Sequence, residues 1–293
     1  MNFQKKVETV DILPVLANRF ESSIDLCQEA VSEVKSLEAD IPYINVLGSP
    51  VTALRFNEQI ATMLKWAVNR ESKVVCVANV HMVMEAYWCP ELSSVLKNAS
   101  LVTPDGMPLV WMLRLMGARQ QNRVAGMDII LSLCRLAPLQ NIKVFFLGSQ
   151  QTILEIVKKK LEQEFPTLDI VGMEPLPFRP LTLAEDDAII QKINRSGAAI
   201  VLISLGCPKQ EHWMNQHHNK IQAVMIGVGG AFPVFAGIHK WAPLWVRNSG
   251  LEWFYRLIQE PRRLWSRYLK TIPPFIWLAL KQLMTSKLKS KST

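Results

Sequence analysis

The chain lacks most of the short motifs from which a function is usually read. Its five cysteines, Cys27, Cys76, Cys89, Cys134 and Cys207, form no CxxC pair and share no regular spacing, which argues against a zinc ribbon or a disulfide framework. Cys76 and Cys134 lie in apolar runs and read as core thiols. No stretch reaches the roughly 18 apolar residues that a bilayer span requires. The nearest candidate, Ile272 to Leu280, is short and carries Pro273 and Pro274. Charged or polar side chains interrupt the N-terminal segment every few positions, so no signal peptide is expected, and the chain is expected to work in the cytoplasm. Neither GxGxxG nor a Walker A sequence is present, which weakens a dinucleotide or P-loop reading. There is no GxSxG and no Cys/His arrangement of a hydrolase. A DxD element is also missing, and Asp186-Asp187 reads as surface charge. His212, His217 and His218 do not fall at the i, i+4 spacing of a helical metal pair. No metal and no cofactor are expected.

What is present is a strongly uneven charge. The formal charge is +8 over 293 residues. From residue 239 onward there are eleven basic side chains against Glu252 and Glu260, a net +9, which leaves residues 1–238 at −1. Five of the nine tryptophans (Trp241, Trp245, Trp253, Trp265 and Trp277) fall in the same segment. A solvated basic tail has no use for tryptophan. Lys and Arg interleaved with Trp suit a surface that meets anionic headgroups or phosphates.

The chain divides into an N-terminal extension (1–40, with one expected helix from Glu21 to Leu37), a core (41–238) and the basic, Trp-rich segment (239–293). In the core, apolar runs alternate with amphipathic stretches. Strands are expected at Tyr43–Leu47, Val74–Ala78, Leu101–Thr103, Ile142–Leu147, Leu168–Val171, Ala199–Leu205 and Ala223–Val228. Helices are expected between them: Phe56–Asn69, Val80–Ala99 with a break at Pro90, Met107–Met116, Met127–Leu136, Gln150–Phe165, Ala184–Ser196 and Glu211–Asn219. Strand and helix in alternation predict an α/β fold with a largely parallel sheet and helices on both faces. Runs such as Ile200–Ile203 are apolar without alternation, as strands buried on both faces must be.

Ligands of such sheets sit beyond the carboxyl ends of the strands. Asn79, Pro104-Asp105-Gly106, Gly148-Ser149-Gln150, Gly206-Cys-Pro-Lys-Gln-Glu211 and Gly227-Val-Gly-Gly230 all follow expected strands. Asp105, held between a proline and a glycine, can serve as a general base or as the cap of the helix starting near Met107. Gly148 opens a helix whose free N–H groups can hold a phosphate. Gly229 and Gly230 allow either a close ligand or tight packing. Lys209, Gln210 and Glu211 offer a cation, an amide and a carboxylate, suited to a diphosphate, a uracil edge and a sugar hydroxyl. Equally, Glu211 can simply favour the first turn of a helix.

Taken in order, Asn79, Thr103-Pro-Asp-Gly106, Arg123-Val-Ala-Gly126 with Asp128, Phe146-Leu-Gly148, Gly206–Glu211, Gly227–Phe232 and Gly250-Leu-Glu-Trp253 with Tyr255-Arg256, Glu260-Pro261 and Arg263 resemble the WecG/TagA/CpsF glycosyltransferases. The resemblance runs from about Tyr43 to about Tyr268. It implies a Rossmann-like core, a helical basic C-terminal appendage and a metal-independent, inverting transfer without a cofactor. The implied donor is a UDP-sugar of the N-acetylmannosamine type, and the implied acceptor is a sugar on a polyprenyl diphosphate. By the same resemblance Asp105 matches the base, and Asn79 and Gln210 match substrate-pocket residues. Arg256 and Arg263 fall in the part thought to hold the lipid diphosphate. Thr103, Arg123, Gly148, Lys209, Glu211, Gly229 and Gly230 join the substrate-binding set. The implied place of work is the inner face of the cell membrane, on an anionic surface and without a nucleic-acid partner; a homo-oligomer is left open. Three positions depart from the family pattern: Val77 where many members have Thr, Pro233 where many have Asp, and Trp241 where many have Arg. Two other classes stay open, a nucleotide-sugar-modifying or dinucleotide enzyme on the same fold and a non-catalytic surface binder led by the basic tail.

Overall fold

A computed structural model describes residues 41–177 and 179–290. The N-terminal extension, with its expected helix Glu21–Leu37, lies outside the described residues. The chain opens with a hairpin of β1 (Tyr43–Val46) and β2 (Ser49–Thr52), paired antiparallel. The Tyr43–Leu47 run therefore joins a separate two-stranded sheet, not the main one. Leu47 and Gly48 make the turn with φ of 50° and 91°, the backbone of a tight hairpin turn. Leu in place of the usual Asn or Asp hides that turn, and with it β2, from the sequence pattern.

The main sheet holds six parallel strands: β3 (Lys73–Ala78), β4 (Leu101–Pro104), β5 (Val144–Gly148), β6 (Ile170–Glu174), β7 (Ile200–Ser204) and β8 (Val224–Gly227). Their spatial order is β4-β3-β8-β7-β5-β6. Strands β4, β5, β7 and β8 are buried along their whole length, which explains their unbroken apolar runs. β6 is an edge strand, half-buried throughout, and starts two residues later than expected. At an edge Gly172, Met173 and Glu174 are tolerated, so the apolar run stops marking the strand.

Helices cover both faces: α1 (Phe56–Val68), α2 (Val80–Trp88), α3 (Pro90–Asn98), α4 (Met107–Leu115), α5 (Gly126–Leu136), α6 (Gln151–Glu164), α7 (Leu183–Ser196), α8 (Lys209–His217) and α9 (Ala231–Ala236). Pro90 does break the Val80–Ala99 stretch, and it stands at the first position of α3, where its missing N–H costs nothing. The expected Glu211–Asn219 helix begins two residues earlier. Two apolar layers result. One, between the sheet and α1, α5, α6 and α9, contains Phe146 and Phe232, and the other contains Val74, Met84, Leu109 and Met225.

The basic segment forms α10 (Leu244–Asn248), α11 (Glu252–Gln259) and α12 (Pro261–Ser290). α12 continues through Pro273 and Pro274, which deprives the carbonyls of Leu269 and Lys270 of their helical donors. Both residues are exposed, so water can meet those carbonyls. The segment is docked on the core. Phe275 and Ala279 are buried in the second apolar layer. Gln282 accepts from the Leu47 N–H at 3.0 Å and donates to the Asn45 carbonyl at 2.6 Å.

Candidate active site

Four neighbouring strands, β4, β3, β8 and β7, end side by side. The residues that follow them meet around one polar cavity of about 180 Å³: Asp105 after β4, Asn79 after β3, Gly229 and Gly230 after β8, and Gln210 after β7. Parallel pairing puts all the carboxyl ends on one side, so residues up to 150 positions apart become neighbours. Asn79 also caps α2, its side chain accepting from the Met82 N–H at 3.2 Å. The appendage closes the opposite wall with Arg256, Gln259, Glu260, Arg263 and Arg267.

Asp105 is placed by its backbone, whose N–H donates to the Ala78 carbonyl at 2.8 Å. It does not cap the following helix. Gly106 occupies the cap position and makes no side-chain cap bond. The carboxyl group therefore remains free to face the cavity. Burial pushes its pKa up to about 7; Arg123 and Arg256 pull it down, while Glu252 and Asp128 raise it further. A carboxylate in this range is protonated in mild acid and becomes a competent base as pH rises. We expect kcat/KM to climb through about pH 7 to a plateau, and Asp105→Asn to abolish that rise. A profile flat from pH 5 to 8 would separate Asp105 from the rate.

Arg123 joins core and appendage. It bonds Glu252 of α11 and lies 3.3 Å from Asp128 of α5. Asp128 in turn faces Arg247 at 3.5 Å, and the Arg247 guanidinium stacks 3.8 Å from the centre of the Trp241 ring. Trp241, noted in the sequence as a departure from the family pattern, thus holds a cation over its ring. Of the three carboxylates on the cavity wall, Glu252 pairs with Arg123 and Glu260 with Arg263. Among the described residues Asp105 has no ion pair. His81, on the wall, was not selected from the sequence, and Arg267, also on the wall, was named there only beside Arg256 and Arg263 as a candidate grip on the acceptor diphosphate. Burial and the nearby Arg267 lower the His81 pKa to about 4, so it lines the cavity as a neutral ring. No motif marks either residue, because they reach the site from helix faces and not from strand ends.

The remaining candidates lie elsewhere. Thr103 is fully buried in β4 and donates to the Val124 carbonyl at 3.4 Å. Gly148 ends β5, the next strand beyond β7, and is off the wall. A Cβ there would sit 2.9 Å from the Ser204 carbonyl oxygen, so glycine lets the two strand ends pack. Lys209 is exposed and off the wall. Glu211 is buried in the first turn of α8, where its Oε1 accepts from Gln210 Nε2 at 2.7 Å. Gln210 Oε1 accepts from the Gly206 N–H at 3.1 Å, so both ends of this amide are fixed. Burial raises the Glu211 pKa to about 7, opposed by its bonds to Gln210 and Cys207.

Asp186 is not merely surface charge. It accepts from Trp213 Nε1 at 2.9 Å and faces His217 Nε2 at 2.8 Å, while His217 Nδ1 faces the Trp213 carbonyl at 2.6 Å. A charge that the sequence places on a helix surface is here the half-buried tie between α7 and α8. Among the described residues no three His, Cys, Asp or Glu side chains converge as a metal site. The four described cysteines are free. No helix among the described residues is long and apolar enough to cross a membrane.

Comparison with known proteins gives a consistent result. The family model of the glycosyl transferase WecG/TagA/CpsF family matches residues 44–289. An N-acetylglucosaminyldiphosphoundecaprenol N-acetyl-beta-D-mannosaminyltransferase of Bacillus subtilis (strain 168) is 34% identical over 210 residues, covering 71% of this chain and 79% of the relative. A protein of the same name from Bacillus spizizenii is 32% identical over 208 residues, covering 71% and 78%. With a match of that extent, running from the first hairpin into the last helix, the chain is a glycosyltransferase and belongs to the WecG/TagA/CpsF family.

Proposed function

We propose that the protein transfers a hexose or N-acetylhexosamine, of the N-acetylmannosamine type, from a UDP-sugar to a sugar carried on a polyprenyl diphosphate. The observation that carries this reading is the meeting, across one cavity, of Asp105 from the sheet edge with Arg256, Arg263 and Arg267 from the appendage. A base and a cluster of cations on opposite walls suit an acceptor with a hydroxyl at one end and a diphosphate at the other. The names of the Bacillus relatives describe an acceptor of that chemistry.

In this reading the donor lies over the ends of β7 and β8, against Gln210, Gly229 and Gly230. The acceptor hydroxyl attacks the anomeric carbon from the face opposite UDP. Its proton passes to Asp105, the bond from the anomeric carbon to the diphosphate oxygen breaks, and UDP departs with the electron pair. One unpaired carboxylate on the wall supports a single displacement with inversion. Leaving-group charge would be met by arginine and backbone N–H groups.

The appendage supports work at the cytoplasmic membrane face. Trp245, Trp265 and Trp277 are 70%, 58% and 71% exposed, among the exposed basic residues Arg262, Lys270 and Lys281. Each basic residue near an anionic surface contributes about 1 kcal/mol.

The test is a panel of UDP-sugars with a short-chain lipid-diphosphate sugar acceptor, read as UDP release and glycoside formation. We expect one UDP-sugar to give product of inverted anomeric configuration, with the rate unchanged in EDTA. Release of UDP without a new glycoside, or a rate lost in EDTA and restored by Mg²⁺ or Mn²⁺, would overturn the corresponding part of the proposal.

A further inference from the structure

The polar cavity opens sideways into a second, larger one of about 420 Å³, and the two share Asn79, His81, Asp105, Arg123, Glu252, Arg256 and Arg267. Apart from those residues, Arg247 and Thr271, the second cavity is a groove with apolar walls. One wall is α12, which contributes Leu264, Arg267, Tyr268, Thr271, Ile272, Phe275, Ile276, Ala279, Leu280 and Leu283. Their spacing alternates three and one, so they form a single face of the helix. At about 1.5 Å per residue that face runs nearly 30 Å. The other wall comes from α4, with Met107, Trp111, Met112 and Leu115. Gly250 sits between the walls at φ +78°, and a Cβ there would lie 2.9 Å from the Trp111 ring. Far from the catalytic end, Ile276 and Leu280 line the groove and are also half-exposed, next to exposed Trp277 and Met284.

The two ends of this groove differ in chemistry. The inner end has guanidinium groups beside the Asp105 and Glu252 carboxylates, and the rest is largely apolar up to the surface stripe. A nucleotide or free sugar would find no polar partners along the apolar part. An extended second protein segment would leave its backbone groups unpaired there. A ligand with an anionic head and a long apolar tail matches both ends. We infer that the groove between α4 and α12 holds the first part of the acceptor's polyprenyl chain. The diphosphate would then lie at Arg256 and Arg267, and the terminal sugar hydroxyl would reach Asp105. This rests on the acceptor class proposed above and adds that the protein itself, and not only the membrane, receives the lipid. Entry from the Ile276 and Leu280 end would let the chain pass from the bilayer without leaving an apolar environment.

The experiment uses the full chain without vesicles or detergent, and a series of sugar-diphosphate acceptors bearing zero to four isoprene units, below their aggregation concentrations. Partition into a bilayer then cannot produce a chain-length effect. Each buried methylene changes affinity roughly fourfold, so kcat/KM should rise at least tenfold for each of the first two units. In Leu115→Gln and Ile276→Gln, at exposed rim positions that tolerate an amide, the ratio of long-chain to short-chain kcat/KM should fall several-fold. Thermal melting checks that these variants stay folded. A wild-type kcat/KM independent of chain length would overturn the groove assignment, including the case in which another part of this chain fills it. So would an unchanged ratio in both variants. Transfer to no diphosphate acceptor of any length would instead overturn the acceptor reading itself, and the groove with it.

Discussion

Replacing Asp105 by Asn is expected to lower the transfer rate by roughly 10²–10⁴-fold, the usual effect of removing a general base. UDP binding should stay within a few-fold of wild type. Asn keeps the size of the side chain and disturbs neither the backbone bond to Ala78 nor the cap of α4, which Gly106 occupies without a side-chain bond. What it removes is the proton acceptor. Because the carboxyl group is largely desolvated and its pKa stands near 7, the loss should be greatest on the alkaline plateau. It should shrink toward pH 5, where wild-type Asp105 is already protonated. Steady-state kinetics at two pH values, with UDP affinity measured by calorimetry, check this. Near-normal turnover at pH 8 would show that Asp105 only shapes the loop.

Reversing charge on the appendage wall, with Arg256→Glu together with Arg263→Glu, is the second large effect. A hydrogen bond between charged groups contributes about 1.5–3 kcal/mol, or one to two powers of ten per arginine. The pair should therefore lose about 10²-fold or more in kcat/KM for a diphosphate-bearing acceptor. Arg256 reaches far into the site: its Nη2 would lie 3.0 Å from a Cβ built on Gly230. Arg263 already pairs with Glu260 through its Nε at 2.6 Å, so part of its effect will come from like-charge repulsion there. A single Arg256→Glu variant separates the two. The contrast that matters is between substrates: the loss should be large for acceptors with a diphosphate and small for UDP binding. Equal losses for both would place these arginines on the donor instead.

The parallel sheet was legible because strands buried on both faces must be apolar without interruption, as in Val144–Gly148 and Ile200–Ser204. The two strands that the pattern misplaced or missed have other causes. β6 is half-exposed at an edge, and β2 carries Pro50 in a hairpin whose turn is built from Leu47 and Gly48. Neither strand has to look apolar in order to form. Among the site residues, those directly after strands (Asn79, Asp105, Gln210, Gly229 and Gly230) could be located from the chain, because parallel topology sends every strand end to one side. That filter also admitted Gly148, which follows a strand one place too far along the sheet. It gave equal standing to Lys209, Gln210 and Glu211, although one turn of helix points only the middle one at the cavity.

By itself the sequence determined the α/β class, the order of the strand-end motifs and the concentration of +9 charge with five tryptophans after residue 238. These are local properties, set by which side chains follow one another. The resemblance had assigned Arg256 and Arg263 to the acceptor, but only the tertiary structure brings the basic segment onto the wall of the candidate cavity. Arg256 and Arg267 lie 151 and 162 residues from Asp105 in the chain, and nothing in their neighbourhoods names that partner. Their meeting depends on α12 burying Phe275 and Ala279 against the core and on Arg123 holding Glu252. The same packing creates the apolar groove. Its α12 wall can be read as a helical stripe, but its α4 wall and its opening onto Asp105 exist only once the two helices stand face to face. A surface that forms between elements distant in sequence leaves no periodic trace in either one.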